Sequence, residues 1–122
     1  ETSAQSKIQI YDQILSMRPF DTEALTYKAD AALELDETKW AISLSEQALE
    51  IDPDHAHAYY QMACAYAQQA DAKVALEYLE KAIVLAPSYR DEARTDASFK
   101  GMRRLKEFKA ITDVDDGASP SA

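Results

Sequence analysis

Three of the four prolines, Pro19, Pro53 and Pro87, stand 34 residues apart and then 34 again. A fixed period of that length is the mark of a chain built by stacking one small supersecondary unit on the next. Laying the sequence on this period aligns far more than proline: Ala24 falls on Ala58, Leu25 on Tyr59, Ala29 on Ala63, Ala41 on Ala75, Glu46 on Glu80, Ala48 on Ala82, Leu49 on Ile83 and Ile51 on Leu85. Before Pro19, Ile14, Leu15 and Met17 take the places of Ala48, Leu49 and Ile51.

Within each unit the apolar residues recur at helical spacing in two blocks, Leu25, Ala29, Ala32 and Leu33 followed by Ala41, Ile42, Leu44, Ala48, Leu49 and Ile51. A polar break separates the blocks at 36–39 and again at 70–73, where Asp36 and Asp71 are expected to cap the second helix. Proline then ends that helix because it cannot continue the hydrogen-bond ladder, and Asp21, Asp54 and Ser88 are placed to start the next one. Each unit is therefore expected to be a helical hairpin. Composition agrees: with 2 glycines and 4 prolines in 122 residues, against a usual ~7% and ~5%, the chain lacks the turn residues of a sandwich or barrel. It is an all-α sequence of single-domain size.

This pattern resembles the tetratricopeptide repeat, a 34-residue helical hairpin. Residues 56–89 match its signature well, with Tyr59, Met62, Ala63, Tyr66, Ala75, Leu79, Ala82 and Pro87 in the signature places. Residues 22–55 match through Leu25, Ala29, Ala41, Ala48 and Pro53, while Lys28, Ala32 and Ser45 depart from it and predict looser packing. Residues 2–19 supply the second helix of a preceding half unit. After Pro87 a Tyr89-Arg90 start, a possible cap at Thr95-Asp96 and the series Phe99, Met102, Leu105, Phe108 and Ile111 resemble the terminal capping unit of many such proteins. The resemblance implies a right-handed superhelix of antiparallel helix pairs, an α-solenoid, over residues 1–111, with two full units, the half unit and a C-terminal cap at 88–111. Residues 112–122, rich in Asp, Gly, Ser and Pro, are expected to form a disordered acidic tail.

Charge narrows the partners. The formal net charge is -9: residues 1–89 hold 6 basic and 15 acidic side chains, residues 90–109 hold 7 and 4, and three aspartates follow. An acidic body argues against nucleic acid, whose phosphates need a cationic surface. No apolar run reaches the ~18 residues of a membrane span, so no membrane insertion is expected. The chain opens on Glu1 with no charged-then-apolar leader, which reads as a processed chain or a fragment. A targeting segment outside it is left open, and a cytoplasmic place is slightly favoured.

Nothing points to catalysis, and no catalytic residue is assigned. There is no glycine-rich phosphate loop, serine elbow or His-Glu-x-x-His motif. A single cysteine, Cys64, excludes an internal disulfide and a cysteine-based zinc cluster. His55 and His57 are two residues apart and point about 200° apart on a helix, and His57 to Cys64 spans roughly 10 Å of rise. No metal site and no cofactor are expected. Asp113, Asp115, Asp116 and Gly117 lack the alternation and the closing glutamate of a calcium loop.

The resemblance carries a candidate binding face. In the repeat family the first helices line a concave surface, and by register the contacting positions here are Glu23, Thr26, Tyr27, Asp30, Leu33 and Glu34, then His57, Tyr60, Gln61, Cys64, Ala67 and Gln68. Periodicity itself places each set on one helix face. The tyrosines suit an interface, or equally serve packing. The carboxylate clamp of chaperone-binding members is not present, since Thr26, Asp30, His57 and Gln61 stand in its places. The expected function is a non-catalytic adaptor that binds a peptide or protein on this face, neutral or basic and with apolar anchors. The alternative is a scaffold or assembly subunit that forms a homo-oligomer through residues 2–17, whose Ile8, Ile10, Ile14 and Leu15 are expected to present an apolar face.

Overall fold

The computed structural model describes residues 3–113. Among the described residues there are seven α-helices and a 3-10 turn: α1 (Ala4–Met17), α2 (Thr22–Glu34), α3 (Thr38–Ile51), α4 (Ala56–Gln68), α5 (Ala72–Leu85), α6 (Tyr89–Thr95), the turn Ala97–Phe99 and α7 (Lys106–Thr112). No strand occurs among the described residues.

The starts and stops follow from particular residues. Ser3, Asp21 and Asp71 cap α1, α2 and α5, each side-chain oxygen accepting from the backbone N–H three residues on, at 3.1, 3.0 and 3.3 Å. Asp36 does not cap α3, contrary to its expected role. It sits at φ 61 with its N–H donating to the Leu33 carbonyl, while Glu37 N–H donates to Ala32. Ala70 repeats this geometry at φ 64. Both are the left-handed residue of a Schellman motif that closes the first helix of a pair, so each break is a helix end as well as a helix start, and of the two aspartates only Asp71 caps. Likewise α4 is led by His55 rather than Asp54, and neither His55 nor Ser88 makes a side-chain cap bond. Arg18, Asp52 and Ala86 end α1, α3 and α5 in non-helical conformation immediately before the three periodic prolines, as the proline ring demands of its predecessor.

Successive helices pack in order, α1 on α2, α2 on α3, α3 on α4 and α4 on α5, and α2 also lies beside α4. Fully buried alanines at Ala29, Ala32, Ala41, Ala48, Ala58, Ala63, Ala75 and Ala82 mark where backbones approach. A larger side chain there would push the helices apart. Leu25, Leu44, Leu79 and Ile83 fill the space between them. Lys28 finds partners: its Nζ lies 2.6 Å from an Asp12 carboxylate oxygen and 5.1 Å from the centre of the Trp40 ring, tying α1 to α3. Ser45 has none, and its Oγ is buried without a hydrogen-bond partner.

The C-terminal apolar series is not one helix. Phe99, Met102 and Phe108 are buried, but on a 3-10 turn, a loop and α7, and Leu105 lies at the surface. Three arginines of this segment bond to backbone carbonyls. Arg90 Nε and Arg94 Nε donate to the Ile111 and Thr112 carbonyls at 3.2 and 2.8 Å, and an Arg103 Nη donates to the Asp96 carbonyl at 2.6 Å. Arg90 and Arg94 thereby satisfy carbonyls that the end of α7 leaves free. Thr112 is accordingly helical and buried, so the ordered chain runs past the expected boundary at 111. Residues 114–122 of the expected tail lie outside the described residues.

Candidate interaction face

The candidate face is formed by α2 and α4, which lie side by side, with the 3-10 turn packed on α4 and Tyr89 of α6 stacked on Tyr60. Two levels of the expected contact set separate here. Thr26, Leu33, Tyr60, Gln61 and Cys64 are buried, while Glu23, Tyr27, Asp30, Glu34 and Gln68 remain exposed. His57 and Ala67 are half-buried.

A hydrogen-bonded chain runs through the buried part. The Thr26 hydroxyl donates to the Thr22 and Glu23 carbonyls, both at 3.1 Å, and meets His57 Nδ1 at 2.8 Å. Gln61 Nε2 stands 2.7 Å from His57 Nε2. An amide N–H must donate there, so Nε2 is the acceptor and Nδ1 carries the proton given to Thr26. Burial, aided by the nearby His55, pushes His57 down to about 4, which keeps the ring neutral.

The C-terminal segment occupies much of the rest. The Tyr60 hydroxyl donates to Asp96 Oδ2 at 2.7 Å, and its ring stacks on Tyr89 at 4.4 Å and meets the edge of Phe99 at 5.9 Å. Burial and the Asp96 carboxylate hold the Tyr60 phenol protonated, and burial with the same carboxylate pushes the Cys64 thiol up. A thiol so placed is inert. Gln68 Nε2 donates to Ser98 Oγ at 2.9 Å. Tyr60 and Cys64 therefore contact the chain's own C-terminal segment where the repeat register had them facing a partner.

Two clefts stay open on either side of this contact. One, of about 320 Å³, is lined by Glu23, Tyr27, Asp30, Gln61, Tyr89 and Glu92 together with His55, His57, Tyr60 and Asp96. The other, of about 350 Å³, runs from Asp30 and Glu34 to Ser98 and Lys100. Burial, then Glu34, raises the Asp30 carboxyl, and burial with the Asp96 and Asp30 charges raises Glu92. Glu34 is paired with Lys7 at 2.9 Å. Tyr27 stacks on Tyr11 at 6.1 Å and tilts over His57 at 4.9 Å. Sequence reasoning missed Tyr89, Glu92 and Asp96 as parts of this face. Their only signal was a capping role after Pro87, which says nothing about which surface they cover.

The outer edge of α1 is a second candidate surface. Ile8 packs with Ala4 and Ala31 and Leu15 against the core, so the expected apolar face is narrower than four residues. Ile10, Met17 and Phe20 nevertheless stand 50, 79 and 75% exposed, and Ile10, Gln13, Ile14, Met17 and Arg18 line a shallow cleft of about 200 Å³.

The family profile described as "Tetratricopeptide repeat" matches residues 44–77, a window of one repeat length. Among solved structures, the crystal structure of MamA superposes with a TM-score of 0.68 at 23% identity, covering 90% of this chain and 67% of that one. The ArsTM double mutant of MamA RS-1 gives 0.64 at 22% identity, with 90% and 65% covered. The chain is a TPR-like, all-α repeat protein. It spans about two thirds of the length of those MamA chains. No curated protein sequence matches. A TPR-like helical repeat offers extended surfaces rather than an enclosed reaction pocket. No described helix is long and apolar enough to cross a membrane.

Proposed function

We propose that this chain is a repeat scaffold that associates with a second copy of itself through the α1 edge. The observation that carries the reading is the exposure of Ile10, Met17 and Phe20 beside the Ile14 cleft, on a helix whose inner side is already packed. Charge supports a second copy as the occupant. Residues 4–18 hold Lys7 and Arg18 against Asp12 alone, in a chain whose net charge is -9, so two copies meeting there keep their acidic bodies apart. In this reading the helix pairs are two full units, 22–55 and 56–89, preceded by the half unit 2–19 and closed by the segment 88–111, in a right-handed superhelix.

Sedimentation velocity over a hundredfold concentration range tests it. The chain is expected to shift from monomer toward dimer, and Ile10→Glu with Met17→Glu is expected to leave it monomeric throughout. A parent chain that is monomeric at every concentration, or a double variant that still associates, overturns the reading.

A second reading has its own observation. The open acidic cleft beside Tyr27 and Tyr89 favours a protein or peptide partner, neutral or basic and with apolar anchors, on the inner face. Glu23, Tyr27, Asp30, Glu34 and Gln68 would meet it directly, with Thr26, His57, Tyr60, Gln61 and Cys64 supporting them from beneath.

A further inference from the structure

We propose that the cleft between α2, α4 and α6 is a receptor for one arginine side chain of a partner peptide. The first observation is its charge. Glu23, Asp30, Glu92 and Asp96 line it, and no lysine or arginine does so among the described residues. Two histidines, His55 and His57, also line it, and His57 is neutral and already bonded on both nitrogens. Asp96 already accepts from the Tyr60 hydroxyl, the Ser98 N–H and the Cys64 thiol, which leaves Glu23, Asp30 and Glu92 as the carboxylates more open to a ligand.

The second observation is independent of charge. Gln61 lines the cleft at 3% exposure, and its Oε1 is buried without a partner. Its Nε2 lies 2.7 Å from His57 Nε2, which takes up the donor side of the amide. A buried acceptor left unpaired costs free energy that a ligand donor would recover. Carboxylates at the rim and an amide carbonyl in the wall together ask for a cation with several N–H donors.

The aromatic walls choose between the two natural cations. Tyr27 and Tyr89 flank the cleft, and a planar guanidinium stacks on tyrosine faces while its five donors reach acceptors spread around the plane. An ammonium is a compact point charge with three converging donors, and it satisfies such a spread set less well. The volume of about 320 Å³ is enough for one side chain and too small for a folded element. This inference goes beyond self-association through α1, because a monomer carries the whole cleft.

The test uses the full chain, isotopically labelled and held at a concentration where sedimentation shows one species. It is titrated with the capped peptide acetyl-Gly-Arg-Gly-amide while backbone amide shifts are followed. Saturable shifts confined to α2, α4 and α6, with a millimolar dissociation constant, are expected. The same peptide with citrulline, which keeps the shape and removes the charge, is expected to bind at least tenfold more weakly, and the lysine peptide several-fold more weakly. The variant Asp30→Asn with Glu92→Gln, both at exposed positions, is expected to keep the parent spectrum and lose at least tenfold in affinity. Equal binding of the citrulline or lysine peptide overturns the proposal, as do unsaturable shifts or a double variant that is folded and binds like the parent. Because the readout is taken from one oligomeric species, its failure is separable from a failure of the self-association reading.

Discussion

Ala70 pays a conformational penalty that its neighbours do not. At φ 64 its Cβ crowds the following carbonyl, a cost of about 1 kcal/mol that glycine would not bear. Ala70→Gly is therefore expected to raise the melting temperature by a few degrees, with its Schellman hydrogen bonds intact. A lower melting temperature would show that the gain in unfolded-chain freedom outweighs the relief. Ser45 offers the complementary case. Its counterpart one repeat on is Leu79, and its buried hydroxyl has no partner, so Ser45→Ala removes an unpaired polar atom without opening much space. A gain of about 1 kcal/mol in urea denaturation is expected.

His57 sets the pH response at this same scale. Its folded value is about 4, against 6.5 for the free side chain, so between those values the unfolded chain binds the extra proton. Stability from this residue is complete above about pH 6.5 and is lost as pH falls toward 4, by at most about 3 kcal/mol. Asp30 and Glu92, raised by burial, work in the opposite sense by favouring the fold as they protonate. A difference measurement isolates the histidine: between pH 7 and 5 the melting temperature of His57→Gln should fall less steeply than that of the parent. Equal slopes would mean that His57 titrates normally in the fold.

Among the elements, the four central helices were legible in sequence because their signal is local and repeated. The proline period placed the helix ends, and the aligned pairs Ala29–Ala63, Ala41–Ala75 and Ala48–Ala82 all lie at zero exposure. What could not be read was where the chain goes once the period ends. The Tyr60–Asp96 bond joins residues 36 apart across two turns, and no spacing rule says that the segment after Pro87 will fold back over the inner face. The same holds for Lys28, whose departure from the repeat pattern is answered by Asp12 and Trp40 on two other helices. Of the candidate inner face, periodicity placed each set of residues on one helix surface, while the division between buried Tyr60 and open Tyr27 depended on that fold-back.

The fold-back also has an energetic consequence for the C-terminal elements. Phe99 is fully buried between the Tyr60 ring and Phe108, so Phe99→Ala leaves a cavity and costs about 3–5 kcal/mol. For a domain of this size that lowers the melting temperature on the order of 10 °C or more. Calorimetry checks it. A separate low-temperature transition in the variant, with the main one unmoved, would show that the segment after Pro87 is an appendage rather than part of one cooperative unit.

At the scale of the whole molecule, charge and apolar surface act against each other in association. Each copy carries a formal -9, and at low ionic strength the Debye length, about 30 Å at 0.01 M, lets those charges repel across a dimer. The α1 edge offers apolar contact instead, through Ile10, Met17 and Phe20, and that attraction is not screened by salt. Raising sodium chloride from 10 to 300 mM shortens the Debye length severalfold and should tighten the dimer, whereas an interface held by ion pairs would loosen under the same change. Sedimentation equilibrium at the two salt concentrations distinguishes the cases. Adding a negative charge at the edge by Met17→Glu should weaken association at both, because it buries an unpaired carboxylate as well as adding to the repulsion. An association that weakens with salt would instead point to contact between the acidic inner face and the basic residues that follow Arg90.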